Sequence, residues 1–427
     1  MLPIGTIFFL LLLLGAPVAL TIGIAGFYFF WDSDIMPISI AVQKIASVSQ
    51  SFPLLAVPFF VFAGHLMNES GITERLFKFA HVSVGWMAGG LAQVSIIMST
   101  LMGGVSGSAV ADAAMEARVL GPQMINQGYS KGYSAAVIAL SSLITATIPP
   151  SIGLILYGFV GGVSIGRLFL AGIIPGILMM IFLMVTAYLV AKKRGYVVKE
   201  STKPTIGEVF SAMRYAKWAL LFPVLLLISL RGGVFTPSEV GAFAVVYAFL
   251  IGFFFHKELT IERIKHAIEL TIADIGLIML IILMSGMMGF AIIFLQVPQS
   301  IAGNLLSGLS DPLAIVATIL GMLFIAGLFV ESTVLVLLLT PIFVPIIKTI
   351  GFDPVHFGIL MMTIVTFGSM TPPVGVAMYT VCSLLECRIE DYVKEAVPFF
   401  IAIIGLVALL LFLPEVVLFL PNLAFAR

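Results

Sequence analysis

Apolar residues run through this chain in long blocks, and small or polar residues interrupt them at places that recur. Leu168–Ala191 and Ile275–Leu295 each exceed the ~20 apolar residues that cross a bilayer. Two further stretches share one plan. An apolar span (Phe52–Met67; Ile275–Leu295) leads to an amphipathic segment (Ile72–His81; Gln299–Leu309). Next come two short apolar helices joined by a small or polar tip, "GGVSGSA" (Gly103–Ala109) and "FVEST" (Phe329–Thr333). Arms of ~12–16 residues are short for spans at 1.5 Å per residue. Each pair is therefore expected to be a re-entrant hairpin, about 90–121 and about 313–347. A helix interrupted by two prolines follows each hairpin, about 128–161 and about 353–385. The interruptions read "TATIPPSIG" (Thr145–Gly153) and "GSMTPPVG" (Gly368–Gly375). The run Ile4–Leu14 lacks a basic flank and is followed by more spans, so it reads as mature protein rather than a signal peptide. Gly15-Ala16-Pro17 leaves open whether Leu2–Phe30 is one bent span or two short ones.

The landmarks form an internal repeat. Ser108 matches Ser332, Gly128 matches Gly351, Pro149-Pro150 match Pro372-Pro373 and Gly153 matches Gly375, at offsets of 222–224 residues. Tyr157 and Tyr379 extend the series. Segments near 128–161, 168–191, 216–230, 237–255 and 274–295 lie between the two hairpins. An odd number of crossings places the hairpins on opposite faces, so the repeats are expected to be inverted. The fold class expected is an all-α polytopic membrane protein. Its first repeat covers 1–191, a basic loop 192–217, and its second repeat 218–427.

Composition supports the class and removes others. The chain is 61% hydrophobic and 10% charged, against roughly 25% charged in soluble domains. Net charge is zero, so no overall field points to nucleic acid. Charge is local instead: Lys192, Lys193, Arg194, Lys199, Lys203, Arg214 and Lys217 face only Glu200 and Glu208. That excess marks the loop as cytoplasmic and puts the first hairpin on that side; Asp32 and Asp34 fit the opposite face. Cys382 and Cys387, five apart, match neither a redox nor a zinc spacing.

The chemistry is expected at the breaks. Non-helical backbone at bilayer depth is tolerated only where protein or a cavity surrounds it. A half-helix that starts there offers N–H groups to an anion, and one that ends there offers carbonyls to a small cation. Ser108 and Ser332 stand where an N-cap hydroxyl belongs. The prolines remove donors from the carbonyls at Thr145–Thr147 and Thr366–Gly368. The bland alternative is that prolines only kink and small residues only permit packing; pairing and repetition argue against it. Glu331 is an intramembrane acid and so a functional candidate, with a wet structural role at a cavity mouth as the alternative. Asp112 and Glu116 share a helix face at i, i+4, with Arg118 near them, and are expected to be hydrated and structural. Arg231 and Glu239 flank a polar periplasmic turn that offers a docking surface. The five histidines show no ligand spacing.

Other functions fit less well. Gly104-Val-Ser-Gly107 is a GxSG string, as in rhomboid-type intramembrane proteases, but no histidine is convincingly placed to activate the serine. No G-x-x-x-x-G-K-[ST] phosphate loop occurs, which disfavours a primary pump. A stand-alone Na⁺/carboxylate symporter and a channel remain as alternatives.

The whole chain resembles the large membrane (M) subunit of tripartite ATP-independent periplasmic (TRAP) transporters. The resemblance is carried by "GAPVALTIGIAG" (Gly15–Gly26), "FPLLAVPFFVFAGHLM" (Phe52–Met67) and "GGVSGSAVAD" (Gly103–Asp112). It continues in "GYSAAVIALSSLITATIPPSIGLILYG" (Gly132–Gly158) and "FGSMTPPVGVAMY" (Phe367–Tyr379). It implies a multi-pass protein of the bacterial inner membrane with an elevator mechanism, Na⁺ as coupling ion and no cofactor. The implied partners are a small membrane (Q) subunit, expected as a separate polypeptide, and a periplasmic substrate-binding protein. One sodium site would involve Gly104, Ser106, Ser108, Thr145, Thr147 and Pro149. The other would involve Phe329, Glu331, Ser332, Gly368, Met370 and Thr371. A substrate carboxylate would lie between them near Ser108, Thr333, Pro150 and Pro373. Family substrates are organic anions, and the sequence as a whole resembles the sialic-acid branch most.

Overall fold

A computed structural model describes residues 2–196, 203–231, 235–309 and 311–425. Described residues form helices joined by short connections, with no strand among them. Six helices are long and apolar enough to cross a membrane, and up to eight spans result if each of two bent helix pairs counts as one. Ile165–Arg194, with 30 residues, is about 45 Å long at 1.5 Å per residue. At the N-terminus the chain makes two helices, Leu2–Leu13 and Val18–Asp32. Gly15 breaks them apart at φ +77°, a conformation open to glycine, so the stretch is two helices, each shorter than the long apolar helices that can cross a membrane. The stretch around 216–230 is helix Lys217–Arg231, bent by 69° from the amphipathic helix Ile206–Tyr215. Lys199 and Glu200 of the basic loop, the side chain of Arg231 and the turn after it lie outside the described residues.

The first hairpin region contains Gly90–Gly103 as incoming arm and Ala109–Val119 as outgoing arm. The second contains Pro312–Gly327 and Ser332–Thr349. This last arm has 18 residues and is predominantly apolar, longer than the arms expected. The first broken helix runs Lys131–Ser141 and Leu143–Thr147, then turns by 43° into Ile152–Gly161. The second runs Pro354–Gly368 and resumes as Val376–Leu384. Both double prolines carry a cis bond between their two rings.

These pieces interlock across the halves. Each incoming arm packs on the first segment of its own half's broken helix, and each outgoing arm packs on the second segment of the other half's. The centre is correspondingly dry. Every residue from Gly132 to Ser141 and from Val355 to Gly368 is buried. Tyr157 reaches across, donating its hydroxyl to the Pro354 carbonyl at 2.6 Å, and its ring fills the space left by Gly358. Its sequence counterpart Tyr379 is 45% exposed, so the repeat is one of plan rather than of environment.

Candidate functional site

At the first tip the chain turns through Gly104–Ser108. Ser108 is extended at φ −121° and its hydroxyl accepts the Ala111 N–H at 3.5 Å, the N-cap role expected of it. Gly107 sits at φ +63°, and its carbonyl accepts the Ile152 N–H at 3.4 Å. A Cβ at Gly107 would stand 2.1 Å from the Pro150 carbonyl oxygen. Ser106 Oγ is buried with no hydrogen-bond partner among the described residues.

The opposing loop explains what its prolines do. Proline nitrogens at 149 and 150 have no hydrogen for the carbonyls of Thr145 and Ala146. The Ser151 hydroxyl takes the place of one, donating to the Ala146 carbonyl at 2.6 Å. Thr145 Oγ1 lies 2.8 Å from the Ser99 carbonyl and 2.6 Å from Asp112 Oδ2, tying the loop to both arms of the hairpin. The Thr147 carbonyl is pressed against Gly172, where a Cβ would lie 2.2 Å from it.

The second tip repeats the construction. The Leu328 carbonyl accepts the Val374 N–H at 3.2 Å. Pro372 and Pro373 cannot serve Gly368 and Ser369, whose carbonyls accept instead from the N–H groups of Thr371 and Ala377, both at 3.0 Å. The Met370 carbonyl accepts the buried Tyr392 hydroxyl at 2.7 Å. Thr366 Oγ1 is buried without a partner among the described residues. Phe329 is half exposed, and Pro373 is exposed whereas Pro150 is buried.

One expectation shifts by a residue. The N-cap of the second outgoing arm is Glu331, not Ser332. Its carboxylate accepts the N–H groups of Thr333 at 2.8 Å and Val334 at 3.2 Å. Ser332 Oγ and Thr333 Oγ1 both donate to Glu331 Oε1, at 3.0 and 2.9 Å. A carboxylate reaches two donors where a hydroxyl reaches one, so the acid took the cap.

A second expectation fails on burial. Asp112 and Glu116 are not hydrated: each is 1% exposed. Glu116 is bonded to Ser95 and, at 3.0 Å, to Ser99. The sequence showed an acidic pair at helical spacing. The hydroxyls that receive it come from Gly90–Gly103 and Lys131–Ser141, and no local pattern announced them.

The protease arrangement is not present among the described residues. Ser106 has no base, His65 Nε2 is 2.9 Å from Asp274, and His356 Nε2 is 2.8 Å from the Leu410 carbonyl. No cluster of three or more His, Cys, Asp or Glu suited to a metal occurs among them either. Glu239 is exposed and closes a capping box with Thr236 at the start of Pro237–Leu250.

Comparison with known proteins finds relatives along nearly the whole chain. The family described as "Tripartite ATP-independent periplasmic transporter, DctM component" matches residues 6–416. The chain is 36% identical over 413 residues to the sialic acid TRAP transporter large permease protein SiaM of Vibrio cholerae, covering 97% of this chain and 96% of that one. It is 35% identical over 418 residues to the ectoine TRAP transporter large permease protein TeaC of Halomonas elongata, covering 97% of each. Among solved structures, the YdaH transporter of Alcanivorax borkumensis superposes with a TM-score of 0.63 over 88% of this chain and 87% of that one. At 13% identity this is a likeness of fold alone.

Proposed function

This chain belongs to the DctM component family of tripartite ATP-independent periplasmic transporters, and from that premise we propose a Na⁺-coupled import mechanism for it. It is a multi-pass membrane transporter subunit of a tripartite system, and its relatives are named transporter permeases rather than enzymes. In the proposed mechanism it works in the bacterial inner membrane beside a small membrane (Q) subunit. It takes an organic anion from a periplasmic binding protein and moves it inward by an elevator displacement.

The observation that carries the sodium reading is the duplicated clasp of tip and loop. Gly107 and Leu328 each lend a carbonyl to an N–H just past the opposing double proline, and among the buried hydroxyls without a partner in the described residues, Ser106 lies in the first tip and Thr366 in the segment leading to the second loop. Buried polar groups are ordinarily satisfied, so these two fit as ligands of a small hard cation. In the first clasp, Gly104, Ser106, Ser108 and the Thr145–Pro149 loop would surround it. In the second, Phe329, Glu331, Ser332, Gly368, Met370 and Thr371 would do so. The Met370 carbonyl keeps its second lone pair after Tyr392 has used the first.

The elevator reading is supported by the interlock. Arms and broken helices of both halves grip one another, so they form one body able to move as a unit. Ser108 and Thr333 begin the two outgoing arms, and the substrate carboxylate is placed between them, near Pro150 and Pro373. Sialic acid or another carboxylate is the proposed cargo. SiaM and TeaC are named for different substrates and differ by one per cent in identity to this chain, so overall similarity does not select between them.

The test is uptake into proteoliposomes containing the chain with its small subunit. A cognate binding protein is outside, and labelled sialic acid and C4-dicarboxylates are offered separately, with and without an inward Na⁺ gradient. The expected result is uptake that needs both Na⁺ and the binding protein. Uptake indifferent to the binding protein makes the chain a stand-alone symporter, and uptake indifferent to Na⁺ overturns the ion sites.

A further inference from the structure

Behind the first clasp lies a closed ring of oxygens that the sodium sites do not use. Glu116 Oε2 is bonded to Ser95 Oγ, and Glu116 Oε1 lies 3.0 Å from Ser99 Oγ. Ser141 Oγ completes the ring at 3.2 Å from Ser95 Oγ and 3.1 Å from Ser99 Oγ. Four oxygen-to-oxygen links therefore compete for the protons of three hydroxyls. The Ser141 hydroxyl also has the Ile138 carbonyl at 3.1 Å. An ionised carboxylate only accepts. With Glu116 ionised, at least one link sets lone pair against lone pair in a buried site. With Glu116 as the neutral acid, its own O–H supplies a fourth donor, and all four ring links become hydrogen bonds when Ser141 donates within the ring instead of to the Ile138 carbonyl.

The electrostatics point the same way. Glu116 is 1% exposed, and the charge that shares its helix face is that of Asp112, one turn earlier and of like sign. The elements packed against its arm bring no cation to it. Gly90–Gly103, Gly121–Asn126 and Leu143–Thr147 contain no titratable residue. Lys131–Ser141 has Lys131, half exposed and paired with Glu386, and Tyr133, whose hydroxyl donates to Ala187. Val376–Leu384 has Tyr379 and Cys382, and Arg118 on the arm itself is exposed. A buried, unpaired carboxylate at bilayer depth is costly.

A route for a proton is also present. A cavity of about 440 Å³ has Glu116 in its lining together with Asn68, Glu69, Glu74, Glu258 and Arg263. At about 30 Å³ per water this volume corresponds to roughly fifteen molecules. Arg75 pairs with the cavity-lining Glu258 at 2.7 Å and lies over Tyr215, at the end of the basic loop, so the cavity lies beside that loop.

We propose that Glu116 holds one exchangeable proton on the outgoing arm of the first hairpin, a protonation site separate from the sodium clasps. Release breaks the carboxyl O–H bond: the proton passes to a cavity water as hydronium, the electron pair stays on the carboxylate, and uptake reverses the step. The inference does not depend on the sodium reading or on the substrate.

Infrared spectroscopy of the purified chain in lipid tests it without any transported ligand. At neutral pH the wild type should show the carbonyl stretch of a protonated carboxylic acid, moving to lower frequency in D₂O. Asp112→Asn should retain the band. Glu116→Gln, which keeps a donor and an acceptor for the ring, should lose it. Ser141→Ala, which leaves the acid in place, should shift the band by removing a ring partner, and so tests the assignment even if the Gln variant does not fold. Absence of the band in wild type, its survival in Glu116→Gln, or its loss in Asp112→Asn alone overturns the assignment to Glu116. A band insensitive to D₂O overturns exchange through the cavity.

Discussion

Gly327 and Gly368 meet backbone to backbone, and a Cβ on Gly368 would stand 2.7 Å from Gly327 Cα. Glycine at both positions lets the second tip reach its loop closely enough for the Val374 N–H to find the Leu328 carbonyl. Gly368→Ala must therefore push the two apart, because the obstructing atoms are main chain. The expected cost is about 1–3 kcal/mol of stability, as for overpacking in a core, together with weakened Na⁺ dependence of uptake. Thermal unfolding of the purified variant checks the first, and initial uptake rates across Na⁺ concentrations check the second. Unchanged behaviour in both would remove the close approach from the account.

The two residues at the head of the second outgoing arm should separate by size of effect. Glu331→Ala removes the cap itself and is expected to cost about 1 kcal/mol, within the ~0.5–2 range of lost caps. Ser332→Ala removes only a donor to that cap and should cost less. Melting temperatures in detergent decide the order, and the reverse order would restore Ser332 as the cap.

The hydroxyls without partners give a sharper ion test. Ser106→Ala and Thr366→Ala take away a buried oxygen that nothing else in the described protein uses, so folding should be little affected. Each should raise the Na⁺ concentration needed for half-maximal uptake several-fold. Wild-type sodium dependence in both variants would exclude these hydroxyls as ligands.

Tyr392→Phe tests the support behind Met370. The variant leaves a buried carbonyl with one acceptor site empty, at an expected loss of about 1 kcal/mol. It should also alter Na⁺ affinity, because the carbonyl loses the group that orients it. A stability change with unchanged sodium dependence would make Tyr392 a packing residue only.

Movement can be trapped where the second outgoing arm meets the long helix Ile261–Phe294. A Cβ at Gly289 would lie 3.9 Å from Pro341 Cγ, so the two positions face one another across this contact. Gly289→Cys combined with Pro341→Cys should abolish uptake when oxidised and recover it on reduction. Full uptake in the oxidised form would rule out relative motion of these two elements.

The sequence made some of this legible and concealed the rest for physical reasons. Double prolines and positive-φ glycines are backbone facts, so the breaks at 149–150 and 372–373 and the glycine at 107 stand out in one dimension. The cap at Glu331 was displaced by a residue because acid and hydroxyl compete for the same N–H groups, and only geometry ranks them. Glu116 was misread because i, i+4 acids look alike on a wet helix and a buried one. What buries them is Ser95, Ser99 and Ser141, which come from two other helices. The crossed grip between halves was equally silent, since residues such as Tyr157 and Gly358 meet only after both halves have folded.

The contact of Thr147 and Ile148 with Gly172 and Gly176 gives the first clasp a lever. These glycines stand one helical turn apart on Ile165–Arg194 and let the loop lie flat against it. The helix is long enough to emerge in water at both ends, near Arg167 on one side and Arg194 on the other. A displacement of the loop would bear directly on this helix, on either side of its internal Pro175. A reporter attached at either end would register the clasp's position while leaving every ion-facing atom untouched.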